Sequence, residues 1–305
     1  MVNRLTVRNE FGFQWMVTGV NTFQVCGRTT HELPAGSYSC GQDNCGNPVY
    51  TVKEMGADEM IEFPDSLPAK IMEELERFWS MGDRFAKMGF LHRRGYLLYG
   101  KQGCGKSSLI NQIVTRIVSE GNLAFYCDHP YVFVRCMEKF RQVEPTRPIV
   151  CIFEDIDALI EDHGDSELLQ WLDGASQVDK AVNIATTNYP EKLDKRIVSR
   201  PRRFDRIMRI DAPDDRMRRA YFARKMPELS VAELDYWTTL SNDIPFAGLA
   251  ELVISVCCLG NGLEESAKLL REIDAQTPSS LEFANSAPAS SMPTPADDLD
   301  EDFED

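Results

Sequence analysis

The sequence predicts an α/β fold with an open sheet of buried strands, followed by a smaller region made of helices. Three observations support this prediction. Apolar runs of strand length alternate with longer amphipathic stretches of helical period between residues 66 and 212. The run at residues 96–99 leads through a glycine-rich loop directly into a helical stretch. From residue 213 to residue 275 the pattern is helical, with a capping box at Ser230 and Glu233.

The glycine-rich loop spans residues 100–107 and reads Gly-Lys-Gln-Gly-Cys-Gly-Lys-Ser, the G-x-x-x-x-G-K-S pattern of a phosphate-binding loop. Its glycines let the backbone turn tightly and aim N–H groups at a polyphosphate, and the next helix adds its positive dipole end. Lys106 would reach the β- and γ-phosphates of ATP, and Ser107 would bind Mg²⁺. The predicted nucleotide contacts are Gly100, Gln102, Gly103, Cys104, Gly105, Lys106, Ser107 and Ser108.

Polar side chains follow the next two buried runs. Glu154 and Asp155 come directly after the apolar residues 149–153, and Asn188 follows the run at residues 181–186. Ligands of open α/β sheets bind outside the carboxyl ends of the strands. One carboxylate could therefore help to hold Mg²⁺ and the other could orient or deprotonate the attacking water. The Asn188 amide could hold that water or the γ-phosphate.

A basic segment at residues 193–206 reads Leu-Asp-Lys-Arg-Ile-Val-Ser-Arg-Pro-Arg-Arg-Phe-Asp-Arg and leads into a predicted strand at residues 207–210. Arginines beside a γ-phosphate are what the charge of a phosphoryl-transfer transition state requires. The segment therefore predicts arginines that act on a nucleotide.

The remaining regions carry weaker signals. Residues 1–65 predict a small β domain, in which Cys26, Cys40 and Cys45 leave a metal site open, although zinc would want a second close pair. Residues 66–89 predict one helix that begins the core domain at residues 66–212. Residues 213–275 predict a helical lid, and residues 276–305, rich in Pro, Ser and acids, predict a disordered acidic tail.

Composition limits the function classes. A net charge of −15 argues against a broad nucleic-acid-binding surface, and eight acids with no base lie in residues 276–305. Nine cysteines, an odd number scattered among apolar runs, favour a reducing compartment over a disulfide framework. No run has membrane-spanning length and the start shows no signal peptide. These observations predict a cytoplasmic protein.

Four ordered motifs resemble those of the AAA family of ring-forming ATPases. GKQGCGKSS resembles its Walker A motif, IVCIFEDID its Walker B motif, IATTN its sensor 1, and LDKRIVSRPRRFDR its second region of homology. The stretch HRRGYLLYG and the order Glu154-Asp155 are similar to the branch that contains the mitochondrial Rieske-protein translocase, most of all to its soluble bacterial and phage members. Residues 1–63 lack that translocase's membrane segment, so its task is not carried over.

The resemblance implies a five-stranded parallel sheet with a helical lid, assembled as a ring, a hexamer for most of the family. Glu154 then takes the magnesium side and Asp155 the catalytic-base position, and Asn188 takes the sensor position. Arg200 and Arg203 match arginine fingers that act on the neighbour's nucleotide. Ala247 and Gly248 fall where the lid approaches the nucleotide. Two departures are Arg202, where the family usually has Gly, and one extra residue between Asp194 and Arg200.

Three functions remain open at this stage. The first is an ATP-hydrolysing ring that remodels or disassembles protein partners, although the loop Asp-His-Pro-Tyr at residues 128–131 lacks the aromatic-glycine pair of threading members. The second is a DNA-directed motor or loader, supported by the lid arginines Arg216, Arg218, Arg219 and Arg224. The third is a nucleotide-gated binding module that recruits a partner through the acidic tail.

Overall fold

The computed structural model describes residues 14–27, 29–54, 67–173, 176, 178–198 and 202–275. The statements below refer to these residues. Arg200, the start of the predicted β domain and the predicted tail at residues 276–305 lie outside them.

The chain forms a seven-stranded sheet and a separate antiparallel pair of strands. The pair consists of β1 (Gln14–Gly19) and β2 (Thr22–Cys26). The sheet has the order β4-β3-β6-β7-β8-β5-β9. Its strands are β3 (Gly36–Gln42), β4 (Pro48–Val52), β5 (Arg93–Tyr99), β6 (Leu123–Tyr126), β7 (Ile149–Phe153), β8 (Ala181–Thr187) and β9 (Arg206–Arg209).

Strands β5 to β9 are mutually parallel and provide the predicted five-stranded sheet. Residues 36–52 belong to the predicted small β domain at residues 1–65, and they extend this sheet, because β3 joins it parallel to β6 and β4 pairs antiparallel with β3. Without them, β6 would present an unpaired edge of N–H and C=O groups. Tyr38 and Cys40 are buried in this extension, and the Tyr50 hydroxyl donates to the carbonyl oxygen of Cys136.

Helices cover both faces of the sheet and form the lid. Those of the core are α1 (Leu67–Trp79), α2 (Gly82–Lys87), α3 (Lys106–Ser119), α4 (Pro130–Val143), α5 (Ile156–His163), α6 (Ser166–Asp173) and α7 (Lys195–Val198). Those of the lid are α8 (Asp215–Lys225), α9 (Val231–Leu240), α10 (Phe246–Val253) and α11 (Leu263–Ala275). A 3₁₀ turn (Pro190–Lys192) and a π-helical turn (Ile254–Cys258) complete the set.

The single helix expected at residues 66–89 is instead two helices, with a break at residues 80–81. The Ser80 hydroxyl donates to the Arg77 carbonyl oxygen, and such a local bond competes with the helical backbone bonds. The capping box of α9 is confirmed, since Ser230 and Glu233 each bond the other's backbone N–H.

Three apolar clusters hold these layers together. One face of the sheet packs on α4 and α6 through residues such as Phe133 and Trp171, and the other packs on α1 and α3 through residues such as Leu75 and Ile110. The lid has its own core around Phe222 and Trp237. Among the described helices, none combines the length and apolar character needed to cross a membrane.

Candidate functional site

The phosphate loop connects the end of β5 to the start of α3, as the sequence pattern predicts. Lys106 is the first residue of α3 and its side chain is 7% exposed. Its ammonium group donates to the carbonyl oxygens of Gly100 and Lys101, at 2.7 and 2.8 Å. The amine is thus held inside the concave side of the loop, where the phosphates of a nucleotide would lie.

The glycines of the loop are required by its backbone and by its neighbours. Gly103 and Gly105 have φ of +78° and +93°, a region that favours glycine. A Cβ on Gly100 would lie 2.1 Å from the carbonyl oxygen of Ile210, which is closer than a Cβ and a non-bonded backbone oxygen can approach. The sequence therefore permits a loop that lies tightly against the residue after β9.

The acids and the amide that were predicted to meet do so at the carboxyl edge of β7 and β8. The Asn188 side-chain amide donates to Asp155 Oδ1 at 3.0 Å. Glu154 is half-buried beside them and directly follows β7. Asp155 has φ of +45°, uncommon outside glycine, and strained backbone of this kind clusters at functional sites.

Two threonines that sequence reasoning missed hold this arrangement. The Asp155 N–H donates to the Thr186 hydroxyl at 3.0 Å. The Thr187 hydroxyl donates to Asp157 Oδ1 at 2.6 Å, and it accepts from the Tyr189 N–H. Both threonines are buried at the end of β8. The signal that could have found them is a pair of hydroxyl residues ending an apolar strand beside a strand that ends in acids.

The lid contacts the phosphate loop directly. The Ala247 N–H, in the first turn of α10, donates to the Gly103 carbonyl oxygen at 3.2 Å. A Cβ on Gly103 would lie 3.2 Å from the Ala247 Cβ, and a Cβ on Gly105 would lie 3.2 Å from the Phe246 ring. Gly248 packs instead on Ile244 of the lid. The predicted approach at Ala247 thus corresponds to a contact with the loop.

The donor set fits a magnesium nucleotide. Ser107, Ser108 and Gln102 are exposed, so their polar groups face solvent where a ligand would bind, whereas Cys104 packs into the core. Burial lowers the pKa of Lys106 from its ordinary value of 10.5, and Cys104, Asp155 and Asp157 partly oppose that shift. The negative charge near this buried ammonium group does not fully offset its desolvation. A polyphosphate bound in the glycine-rich loop would supply the missing negative charge. Ser107 and Glu154 are the groups that could hold the metal.

Of the two predicted arginine fingers, Arg203 is among the described residues. Arg200 is outside the described residues. Arg203 is 4% exposed and its guanidinium forms an ion pair with Asp173 of the same chain, with Nε 2.9 Å from Oδ2. The Arg203 side chain also donates to the Arg196 carbonyl oxygen. To reach a neighbouring copy, Arg203 would have to leave this ion pair, and its role there stays a prediction.

The loop after β6 has its own contacts. The rings of His129 and His163 stack with centroids 4.2 Å apart. Tyr131 is 47% exposed and its hydroxyl accepts from Arg135 at 2.9 Å. Elsewhere, the nine cysteines, all among the described residues, form no disulfide bond, and no cluster of three or more metal-ligating side chains occurs within the described ranges.

Comparison with known proteins agrees with this geometry. A family model described as "ATPase family associated with various cellular activities (AAA)" matches residues 96–212. The chain is 29% identical over 236 residues to ATPase family gene 2 protein homolog A of Homo sapiens. The aligned residues are 70% of this chain and 25% of that protein. It is 28% identical over 200 residues to the mitochondrial inner membrane i-AAA protease supercomplex subunit YME1 of Saccharomyces cerevisiae, spanning 59% of this chain and 26% of the relative.

A bacterial relative is ATP-dependent zinc metalloprotease FtsH 1 of Sorangium cellulosum, 29% identical over 229 residues, which are 67% of this chain and 34% of that protein. The chain therefore matches about a quarter to a third of the length of these relatives. The matched domain holds the phosphate loop, the acids after β7 and Asn188. Residues 96–212 are therefore similar to the AAA family of ATPases, the family whose motifs the sequence resembles.

Proposed function

We propose that this chain binds ATP with Mg²⁺, hydrolyses it in a hexameric ring of copies, as the resemblance implies, and uses the cycle to remodel protein partners. The observation that carries the proposal is the convergence of Lys106, Asp155 and Asn188 at one edge of the sheet. Lid residue Ala247 lies against the same loop. These four residues come from separate parts of the chain. Packing of the fold alone gives no reason for an amine, a carboxylate and an amide to meet at one place, whereas binding of a nucleotide does.

Each group has a distinct task in hydrolysis. Lys106 and the loop N–H groups hold the β- and γ-phosphates. Asn188 fixes Asp155 by its bond to Oδ1, and the second carboxylate oxygen can take a proton from the attacking water. Mg²⁺, held by Ser107 and Glu154, would neutralise phosphate charge. Arg200 of a neighbouring copy, and Arg203 once its ion pair opens, would stabilise the charge of the transition state.

Two substitutions separate binding from hydrolysis. Lys106→Ala should abolish binding of a fluorescent ATP analogue. Asp155→Asn should retain binding and lower phosphate release by roughly 10²- to 10⁴-fold, the usual contribution of a general base. Asp162→Asn removes an exposed acid of α5, the helix that directly follows Asp155, and is the matched control, with near-normal turnover expected. Normal hydrolysis by Asp155→Asn would contradict the assigned base.

Action on protein partners is supported by the relatives and by the lid. Two relatives are named as a protease or a protease subunit, and two of the four lid arginines that favoured DNA form ion pairs within the lid. Arg218 is 3% exposed and pairs with Asp215, and Arg219 pairs with Asp235. Arg216 is exposed.

DNA-stimulated ATP hydrolysis tests the alternative directly. For a protein remodeller we expect turnover that is unchanged by duplex or single-stranded DNA at low salt. Stimulation that falls steeply between 50 and 200 mM salt, by the orders of magnitude typical of phosphate contacts, would favour a DNA-directed motor instead.

A further inference from the structure

A small hollow lies at the amino-terminal ends of β5 and β9, away from the phosphate loop. Its volume is about 130 Å³ and it is lined by Phe85, Phe90, Leu91, Arg93, Arg94 and Arg202, with Asp205 at its edge. We call it the arginine hollow. Phe90 is 58% exposed, which is high for a large apolar side chain beside a buried strand. The hollow thus combines aromatic walls with three guanidinium groups.

One of these arginines is buried without full compensation. Arg93 is 9% exposed, and its Nη1 has no hydrogen-bond partner among the described residues. Leaving such a donor unpaired costs free energy, more so for a charged group. Burial lowers the pKa of Arg93, Arg202 lowers it further, and Asp205 opposes the shift. A ligand that brings carboxylate oxygens would satisfy this group.

The other charges of the hollow leave a surplus of positive charge. Arg202 is exposed, has φ of +77°, and holds its guanidinium 5.7 Å from the centre of the Phe90 ring. Asp205 supplies one carboxylate, but its Oδ2 already accepts from the Gly95 N–H at 2.9 Å. Within the lining, three guanidinium groups therefore meet a single, partly occupied carboxylate, while Asp173, which is paired with Arg203, acts on Arg93 from outside the hollow. An occupant should be acidic and carry an aromatic ring.

The end of this chain has that chemistry. Residues 297–305 read Asp-Asp-Leu-Asp-Glu-Asp-Phe-Glu-Asp, with Phe303 between Asp302 and Glu304. We propose that the arginine hollow docks this C-terminal segment, with the Phe303 ring between Phe85 and Phe90 and the flanking carboxylates on the three arginines. A phenyl ring suits the space, since a cavity of about 150 Å³ accepts benzene.

The length of chain allows this docking. The last described residue is Ala275, and 30 residues follow it. Fully extended, 30 residues span at most roughly 100 Å, several times the radius of a domain of this size. The segment can therefore reach the hollow of its own copy or of a neighbouring one. Because Arg202 adjoins Arg203, docking would also bear on the segment that carries the predicted fingers.

Photo-crosslinking of the full-length chain tests the proposal without using ATP hydrolysis as a readout. The photoreactive residue p-benzoylphenylalanine replaces Phe303, and crosslinked peptides are identified by mass spectrometry after digestion. We expect crosslinks to residues 85–94 and 202–205. Raising the salt concentration should lower their yield, because the attraction between the acids and the arginines is screened.

Charge reversal makes the test specific. Arg94→Glu together with Arg202→Glu should lower the crosslink yield at least fivefold, and adding Asp302→Lys and Glu304→Lys should restore it. Arg135→Glu, an exposed reversal on α4, is the matched control and should leave the yield unchanged. Thermal melting checks that each variant is folded. Crosslinks to other parts of the chain would overturn the proposed docking. So would a crosslink yield that is unchanged by Arg94→Glu together with Arg202→Glu.

Discussion

We expect nucleotide binding to depend most on Lys106, and the burial of its amine should make that binding sensitive to pH. Its pKa lies below the ordinary 10.5 because the loop desolvates the ammonium group. As pH rises through this lowered pKa the amine becomes neutral and its attraction for the phosphates is lost.

We therefore expect the affinity for an ATP analogue to weaken at a pH below the usual lysine range. Equilibrium titrations between pH 7 and 10 would measure this, with Lys106→Arg as a control, since a guanidinium stays charged throughout. If wild type and Lys106→Arg weakened in parallel with pH, another group would be responsible.

Gly95 illustrates how one residue fixes the position of the arginine-bearing segment. A Cβ there would lie 2.1 Å from the carbonyl oxygen of Arg203, and that oxygen is backbone. Gly95→Ala should therefore force β5 and the segment apart and lower the free energy of unfolding by about 1–3 kcal/mol. Denaturant unfolding measures the loss.

Gly41→Ala is the matched control for this substitution, because Gly41 also lies in a strand and a Cβ there meets only ordinary contact at 3.9 Å. Its effect should stay within about 0.5 kcal/mol. Equal destabilisation by the two substitutions would show that the close approach at Gly95 is not what matters.

At the level of elements, the hydrogen bond between α10 and the phosphate loop would couple the lid to a bound nucleotide. Ala247 is exposed and its Cβ faces Gly103, so Ala247→Leu should push the lid away from the loop without disturbing the lid core. We expect the dissociation constant for an ATP analogue to rise roughly tenfold, about 1.4 kcal/mol.

Ala232→Leu, on the exposed side of α9, makes the same change away from the loop and should leave the affinity unchanged. Isothermal titration calorimetry of the two variants compares them. Unaltered affinity of Ala247→Leu for the ATP analogue would mean that the contact between the lid and the loop does not affect nucleotide binding.

The elements that the sequence predicts best are those with a local signal. Strand β7 and the capping box of α9 fall where apolar runs and cap residues place them, because both depend on neighbours in sequence. The addition of β3 and β4 to the main sheet could not be predicted in this way. Strand pairing joins Tyr38 to Phe125, 87 residues apart, and no local pattern encodes such a partner.

The same distinction applies to the site. The phosphate loop is a contiguous motif, and the meeting of Asp155 with Asn188 follows from the rule that parallel strands end at one edge. The ion pair of Arg203 with Asp173 depends on how α6 packs beside the segment before β9, which side-chain chemistry alone does not specify. Sequence reasoning identified the arginine but not its partner.

For the whole molecule, the main consequence is that each ATP site is proposed to be completed by another copy. In the proposed function, one copy would supply the phosphate loop, the base Asp155 and the sensor Asn188, and Arg200 of a neighbouring copy would supply positive charge to the transition state. A ring joined head to tail has one such shared site at every interface. Function would then depend on assembly, and a separated copy should bind ATP but turn it over slowly.

Mixing two inactive variants tests this arrangement most directly. Asp155→Asn lacks the base but can offer Arg200, and Arg200→Ala lacks the finger but keeps the base. Phosphate release should be near zero for each alone, and a refolded or co-expressed equal mixture should regain activity at roughly a quarter of the interfaces, those at which both groups are intact. Full activity of Arg200→Ala alone, or a mixture as inactive as its components, would contradict a site shared between copies.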